Sequence, residues 1–268
     1  MTDLLRQYLN GSKTPEEKLN RMREFLQVTI LKIMYDRGSL AHLAFVGGTA
    51  LRIIFNLRRF SEDLDFSLIE RKPYDFPKIV SAIENDLELN GLHAQTTVRS
   101  VRTVQNVFFK FSGLLKEMRL SALSSQNISI KLEIDTNPPL GGSIESTLVN
   151  RLYVLNLRHF DLPSSFATKL CACFFRKYIK GRDFYDLVWY LSKNIRPNIL
   201  LFNNAVKQVK GEDLGLNDQN IKEFILRRIE EIDFALVAND VEQFLEDKSE
   251  LKLLNLATIS QGVEQVFA

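Results

Sequence analysis

The 268-residue sequence predicts an α+β protein, with a mixed β-sheet and helices over residues 1–160 and a helical bundle over residues 161–268. Three observations predict it. A short apolar run, Leu43–Val46, passes through Gly47-Gly48-Thr49 into a helical pattern. From His93 to Ile134 apolar residues recur at period two, as half-buried strands require. Beyond Pro163 the spacing becomes helical.

Thr14-Pro15-Glu16-Glu17 reads as a helix start, with Thr14 as N-cap, Pro15 in the first position and Glu17 at the capping-box position. Leu19, Met22, Leu26, Ile30 and Ile33 keep helical spacing up to Gly38, a residue suited to closing the helix. Leu43–Val46 reads as a buried strand, Ala50 to Leu57 as a helix, and Ser61–Ser67 as a strand. Asp75–Leu89 forms an amphipathic helix stopped by Gly91. Thr97–Val101 and Asn106–Phe111 read as hairpin strands. Ile128–Asp135 alternates throughout and ends at Asn137-Pro138-Pro139. Tyr153–Leu157 adds a short extended piece. Helices are expected near Ser165–Tyr178, Asp183–Lys193, Asn198–Lys210, Gln219–Glu231 and Val241–Leu254.

Composition narrows the function classes. The chain is 45% hydrophobic and 25% charged with a net charge of +2, which excludes a disordered chain and a protein basic all over. No apolar run approaches the ~18 residues of a membrane span, and the N-terminus lacks the apolar core of a signal peptide. No membrane association is expected. Cys171 and Cys173 point about 200° apart on a helix, too far to bridge, so both are expected as free thiols in the cytoplasm.

Three stretches carry chemistry. In the first, Gly47-Gly48-Thr49 leads from a strand into a helix N-terminus, where free N–H groups and the helix dipole favour a phosphate. Downstream, Asp63 and Asp65 share one strand face while Leu64 and Phe66 take the other. Two convergent carboxylates repel each other unless a cation lies between them, and hard oxygen ligands suit Mg²⁺ with a triphosphate. The second stretch puts Lys131, Glu133 and Asp135 on one face of a strand. This is a third carboxylate for the site if the two strands are neighbours, and a half-exposed ion pair if they are not. The third runs from Lys169 through Arg176, Lys177 and Lys180 to Arg182, Asp183 and Asp186. Two readings stand: a solvated basic face with Asp183 capping the next helix, or a cationic wall that neutralises triphosphate charge.

These residues resemble the AbiEii/AbiGii toxin family of nucleotidyltransferases. The resemblance rests on Gly47-Gly48-Thr49-Ala50-Leu51, on Arg59-x-Ser61-x-Asp63-Leu64-Asp65-Phe66, on Lys131-Leu132-Glu133-Ile134, and on Lys169 through Arg182-Asp183-Phe184-Tyr185-Asp186-Leu187. It spans about residues 45 to 190. It implies a polymerase-β-like nucleotidyltransferase mixed sheet followed by a C-terminal helical bundle, and Mg²⁺-dependent transfer of a nucleotide from NTP, with one ion or two. The implied acceptor is the tRNA 3′ end. The implied biological role is the toxin of a toxin–antitoxin pair, with a cognate antitoxin, winged-helix in kind. Alternatives are transfer to a protein or small molecule, or an inactive nucleotidyltransferase fold used for binding.

The resemblance assigns Gly47, Gly48, Thr49, Ser61, Lys131, Lys169 and Arg182 to the nucleotide and Asp63 and Asp65 to metal. Glu133 sits at the third-carboxylate position with Asp135 as its rival. Lys169 lies near the triphosphate, and Asp186, or else Asp183, is the late acidic residue.

Outside these stretches, His42, His93 and His159 lack a Ser or Cys partner pattern for nucleophilic catalysis. Trp189, Tyr190, Phe174, Phe175 and Phe184 read as core of the helical unit. Arg227, Arg228, Lys207 and Lys210 read as solvated faces, with RNA phosphates as their functional alternative.

Overall fold

In the computed structural model of the chain, residues 1–70, 74–101, 103–123 and 125–268 are described. They form two compact units. The first comprises Met1–Asn56, Phe60–Asn137 and Ser146–His159; the second comprises Leu57–Arg59, Pro138–Glu145 and Phe160–Ala268.

Seven strands make one mixed sheet: β1 (Leu43–Val46), β2 (Asp63–Leu68), β3 (Ala94–Val101), β4 (Val104–Phe111), β5 (Ile128–Asp135), β6 (Ile144–Asn150) and β7 (Val154–Phe160). Their order is β3-β4-β5-β2-β1-β7-β6. Apart from the ends of β6 and β7, the sheet belongs to the first unit. β2 runs antiparallel to β1 and parallel to β5, while β4 is antiparallel to both β3 and β5. The central strands obey the period of two. Leu64 and Phe66 of β2 are buried, as are Val107, Phe109 and Phe111 of β4 and Ile130, Leu132 and Ile134 of β5. Each such side chain contributes ~1.5–3 kcal/mol by leaving water.

Five helices accompany the sheet: α1 (Thr2–Leu9), α2 (Pro15–Asp36), α3 (Gly47–Phe55), α4 (Phe76–Leu89) and α5 (Leu114–Glu117). α2 starts as its sequence predicts. Thr14 Oγ1 accepts from the Glu17 N–H at 3.1 Å, while the Glu17 carboxylate reaches one residue past the cap to the Lys13 N–H at 2.8 Å. Its buried stripe, with Met22, Phe25, Leu26, Ile30 and Leu31, packs against α4 and β5.

The second unit is helical: α6 (Leu162–Phe175), α7 (Gly181–Ser192), α8 (Ile199–Lys210), α9 (Ile221–Glu230), α10 (Phe234–Val241) and α11 (Leu256–Val266). α7 is central, packing against α6, α10 and α11. The aromatic residues are core: Phe166 and Tyr190 stack at 4.5 Å, and Phe184 is fully buried.

Two helical expectations fail. α6 ends at Phe175 rather than Tyr178, because Arg176 turns extended and its guanidinium bonds Asp183 at 2.7 Å. Spacings of seven and four residues would put Lys169, Arg176 and Lys180 on one side of a helix, but Arg176 and Lys180 lie between α6 and α7. Residues 241–254 form two 3-10 turns, Glu242–Phe244 and Lys248–Leu253, in place of one helix. The backbone between them is drawn away: Leu245 bridges Arg59, and the Glu246 N–H donates to the Arg58 carbonyl at 3.4 Å. Asn255 then caps α11 by accepting from the Thr258 N–H at 2.9 Å. α1, α5, β6, α10 and α11 have no counterpart in the sequence reading.

Among the described residues no helix is long and apolar enough to cross a membrane. Cys171 and Cys173 are free, and burial pushes their thiols up, that of Cys171 to about 11.

Gly181 opens α7 directly against α10. A Cβ there would collide with the Val237 carbonyl oxygen and lie 3.1 Å from the Val241 nitrogen, both backbone atoms with little freedom to move. Gly181→Ala is expected to cost about 1–3 kcal/mol. A lowered urea midpoint with unchanged m-value checks this; an unchanged midpoint contradicts it.

Candidate active site

The site is built where β1, β2 and β5 lie side by side. β1 ends at Val46, whose register partner is Asp65. The next residue, Gly47, turns with φ +76° and starts α3. A Cβ at Gly47 would collide with Asp65 Oδ2 and stand 3.2 Å from Asp65 Cβ. Glycine is therefore required twice, by the left-handed backbone and by the approach of the carboxylate. No side chain caps α3, so the first-turn N–H groups of the Gly-Gly turn keep their capacity for an anion. Thr49 is fully buried, and its hydroxyl donates to the Asp63 carbonyl, tying the first turn of α3 to the start of β2.

The parallel pairing of β2 with β5 sets Asp63 level with Lys131, Asp65 with Glu133 and Ser67 with Asp135. Side chains level across adjacent strands share a sheet face. Leu64, Phe66, Leu132 and Ile134 fill the opposite face as core. Asp63, Asp65, Lys131 and Glu133 are all partly exposed. Lys131 Nζ donates to the Glu133 carboxylate. Burial disfavours the ammonium, but Glu133, Asp63 and Asp65 outweigh it and raise its pKa above the ordinary lysine value. The condition for joining the third carboxylate to the pair is met.

Asp135 lies one register step further. It accepts from the Asn137 N–H at 2.9 Å, holding the turn after β5. Burial, with Glu133 adding to it, pushes its carboxyl up. Ser61 precedes β2, and its carbonyl accepts from the buried Gln27 amide at 3.1 Å. Gly48 is the second residue of α3. Arg52, further along α3, was not foreseen. Its guanidinium pairs with Glu24 of α2 and lies 3.9 Å from the Phe60 ring centroid.

Among the described residues no three His, Cys, Asp or Glu side chains are gathered to hold a metal ion. Lys131 pairs with Glu133 on this face, and Asp63, Asp65 and Glu133 are hard oxygen donors of the kind that Mg²⁺ prefers.

The second unit holds a separate ionic cluster. Arg59 is 2% exposed and grips Asp186 in bidentate fashion, Nε to Oδ1 at 2.6 Å and Nη2 to Oδ2 at 2.5 Å. Lys169 Nζ lies 2.7 Å from Asp183 and 2.8 Å from Asp186. Burial opposes charge on Lys169, but the two aspartates win and hold its pKa above the ordinary value. Burial likewise opposes the Asp183 carboxylate, but Lys169 and Arg176 hold it below the ordinary 3.8. Lys169 and Asp186 are thus brought together. The Arg182 guanidinium lies 4.3 Å from the Phe244 ring centroid. The partnership of Arg59 with Asp186 was missed, although both residues stand in quoted motifs and a buried charge needs pairing. Three of the four cations weighed for RNA are engaged locally: Arg227 with Glu223, Arg228 with Glu231, and Lys207 with Asp213.

A glycine turn at an uncapped helix start thus stands beside Asp63, Asp65 and Glu133 on one sheet face. The chain belongs to the AbiEii nucleotidyl transferase toxin family of type IV toxin–antitoxin systems, whose model matches residues 29–266. Its fold is similar to that of JHP933 from Helicobacter pylori, with TM-score 0.54, 18% identity, and coverage of 91% of this chain and 90% of that one. It is also similar to a candidate nucleotidyltransferase of H. pylori, with TM-score 0.55, 19% identity, and coverage of 91% and 93%. No curated protein matches the chain.

Two predictions follow from this geometry. Gly47→Ala should displace Asp65 and weaken Mn²⁺ and nucleotide binding by about tenfold or more while the chain stays folded; titration calorimetry with circular dichroism checks both parts. Asp183 has a depressed pKa, so its stabilising contribution is full above 3.8 and is lost as pH falls below that value. Asp183→Asn should therefore be less stable than the native chain at pH 7. The gap should begin to narrow below pH 3.8 and close as pH falls through the lower folded-state pKa of Asp183, as read from urea midpoints across pH.

Proposed function

We propose that the chain is a Mg²⁺-dependent nucleotidyltransferase toxin of the cytoplasm that moves nucleotides from NTP to the tRNA 3′ end. Residues 1–160 act as its nucleotidyltransferase domain and residues 161–268 as its helical domain. One observation carries the reading: the β2–β5 register puts Asp63, Asp65 and Glu133 on one face beside the turn that opens α3.

Each group has work suited to its place. The N–H groups of Gly47, Gly48 and Thr49 hold phosphate oxygens at the uncapped start of α3. Ser61 lies on the approach to β2 and contacts the nucleotide together with Lys131. Asp63 and Asp65 hold Mg²⁺, whose chemistry is Lewis-acid neutralisation of charge on the transferring phosphoryl group. Glu133 takes the proton of the attacking hydroxyl. It is favoured over Asp135 because it stands level with Asp65, whereas Asp135 stands beside Ser67 and holds a turn. Lys169 and Arg182 offset charge on the leaving pyrophosphate. Asp183 and Asp186 keep the Lys169 ammonium charged and in position. The family's toxin–antitoxin character supports a cognate antitoxin as partner, and we assign it the winged-helix class.

The test is incubation with labelled NTPs, Mg²⁺ and tRNA. Label should enter tRNA with the native chain. Asp63→Ala or Asp65→Ala should lower transfer by at least about 10²–10³-fold, as loss of a transition-state charge stabiliser does. Asp63→Ala should also relieve growth inhibition when the protein is expressed alone. Label in a protein or small molecule instead would change the acceptor. No label in any acceptor would overturn the transferase reading.

A further inference from the structure

We propose that a cleft between α1, α2 and the end of α5 is a second ligand site. It takes a small phosphate-bearing dianion, either free phosphate or the phosphate of a monoester. The cleft has a volume of about 350 Å³, within the ~300–1,000 Å³ of small-molecule sites. Its walls include Arg6, Leu9, Lys18, Glu117, Met118 and Arg119. Leu9 and Met118 are each 4% exposed. They belong to the same core as Leu64, Phe66, Leu132 and Ile134, which lies behind the carboxylate face of the sheet. Arg6, Leu9 and Lys18 also precede residue 29, where the family match begins. The cleft is therefore no part of the candidate active site.

Three cations and one carboxylate line the cleft. Arg6 is already answered, by Asp3 at 2.9 Å and Glu117 at 3.2 Å. Lys18 is held differently. Its Nζ donates to the Met118 carbonyl oxygen at 3.0 Å, a neutral acceptor that fixes the ammonium without cancelling its charge. Among the described residues neither Lys18 nor Arg119 is paired with a carboxylate. Two uncancelled positive charges in one concave site match a phosphate group, which carries about −1.5 to −2 at pH 7. A lysine point charge and an arginine fork are both phosphate donors. The backbone of Arg119 adds an independent observation. Arg119 closes α5 in the left-handed region, with φ 58°. Its N–H donates to the Lys116 carbonyl at 3.0 Å, and the Leu120 N–H donates to the Leu115 carbonyl at 2.8 Å. These are the two bonds of a Schellman ending, where glycine is usual because a Cβ is strained. An arginine side chain is not needed to end the helix, yet here it lines the cleft.

The test titrates inorganic phosphate and phenyl phosphate into the full chain and into Lys18→Gln, Arg119→Gly and Gly47→Ala, read by calorimetry and melting temperature. At least one probe should bind the native chain saturably and raise its melting temperature. Lys18→Gln and Arg119→Gly should each weaken that binding about tenfold or more, since each removes a charge-assisted hydrogen bond. Lys18→Gln keeps a donor for the Met118 carbonyl. Without phosphate, Arg119→Gly should melt no lower than the native chain, because glycine suits the left-handed position. Lost binding with kept stability separates a ligand site from a structural ion cluster. Gly47→Ala should bind phosphate in the cleft as the native chain does. Tighter binding of phenyl phosphate assigns an organic monoester, and tighter binding of inorganic phosphate assigns the free ion. No saturable binding of either probe overturns the site. So does equal affinity in the native chain, Lys18→Gln and Arg119→Gly. Either result leaves the transferase reading standing, because that reading rests on Asp63, Asp65 and Glu133.

Discussion

Everything at the candidate site depends on the register between β2 and β5. The strands are parallel, and their alignment is fixed by what lies behind them. Leu64 and Phe66 on one strand and Leu132 and Ile134 on the other are buried in the core. A slip of one residue would turn the two apolar side chains of the slipping strand to solvent and drive its charged residues inward, at a cost of several kcal/mol from apolar exposure alone. Burial on one face therefore places charge on the other. Hydrophobic packing with no chemical role holds Asp63 beside Lys131 and Asp65 beside Glu133. The antiparallel partner β1 adds the remaining piece, since its last residue pairs with Asp65 and delivers Gly47 against that carboxylate.

The two units handle carboxylates in different ways. In the second unit Arg59 and Asp186 are fully withdrawn from water, and Lys169 and Asp183 nearly so. Such a network holds its geometry because removing any one partner strands a buried charge. It is suited to positioning. On the β2–β5 face the ion pair is roughly one-quarter to one-third exposed. Exposure lowers the worth of each contact and also the barrier to replacing it.

Much of this was legible in the sequence, and the failures have physical causes. Ile128–Asp135 alternates without a break, so the strand and its two faces could be read directly. Gly47-Gly48-Thr49 could be read because a glycine pair between a strand and a helix has few uses. The pairing of β2 with β5 could be posed only as a condition, because 60-odd residues separate the strands and local pattern carries no register. Arg59 and Asp186 are 127 positions apart, and only tertiary structure could join them. Residues 241–254 look helical by spacing, but bonds from Arg58 and Arg59 to Leu245 and Glu246 outcompete the helix there. Tertiary backbone pairing overrides propensity in such short segments. α1 and α5 are eight and four residues long, too short for a periodic pattern to stand out.

The near-neutral total of +2 conceals how charge is arranged. Asp63, Asp65, Glu133 and Asp135 share one partly exposed face with Lys131, whereas in the second unit Arg59, Lys169 and Arg176 answer Asp183 and Asp186 side by side. A face rich in carboxylates within reach of water attracts cations from solution, and a buried cluster of matched charges does not.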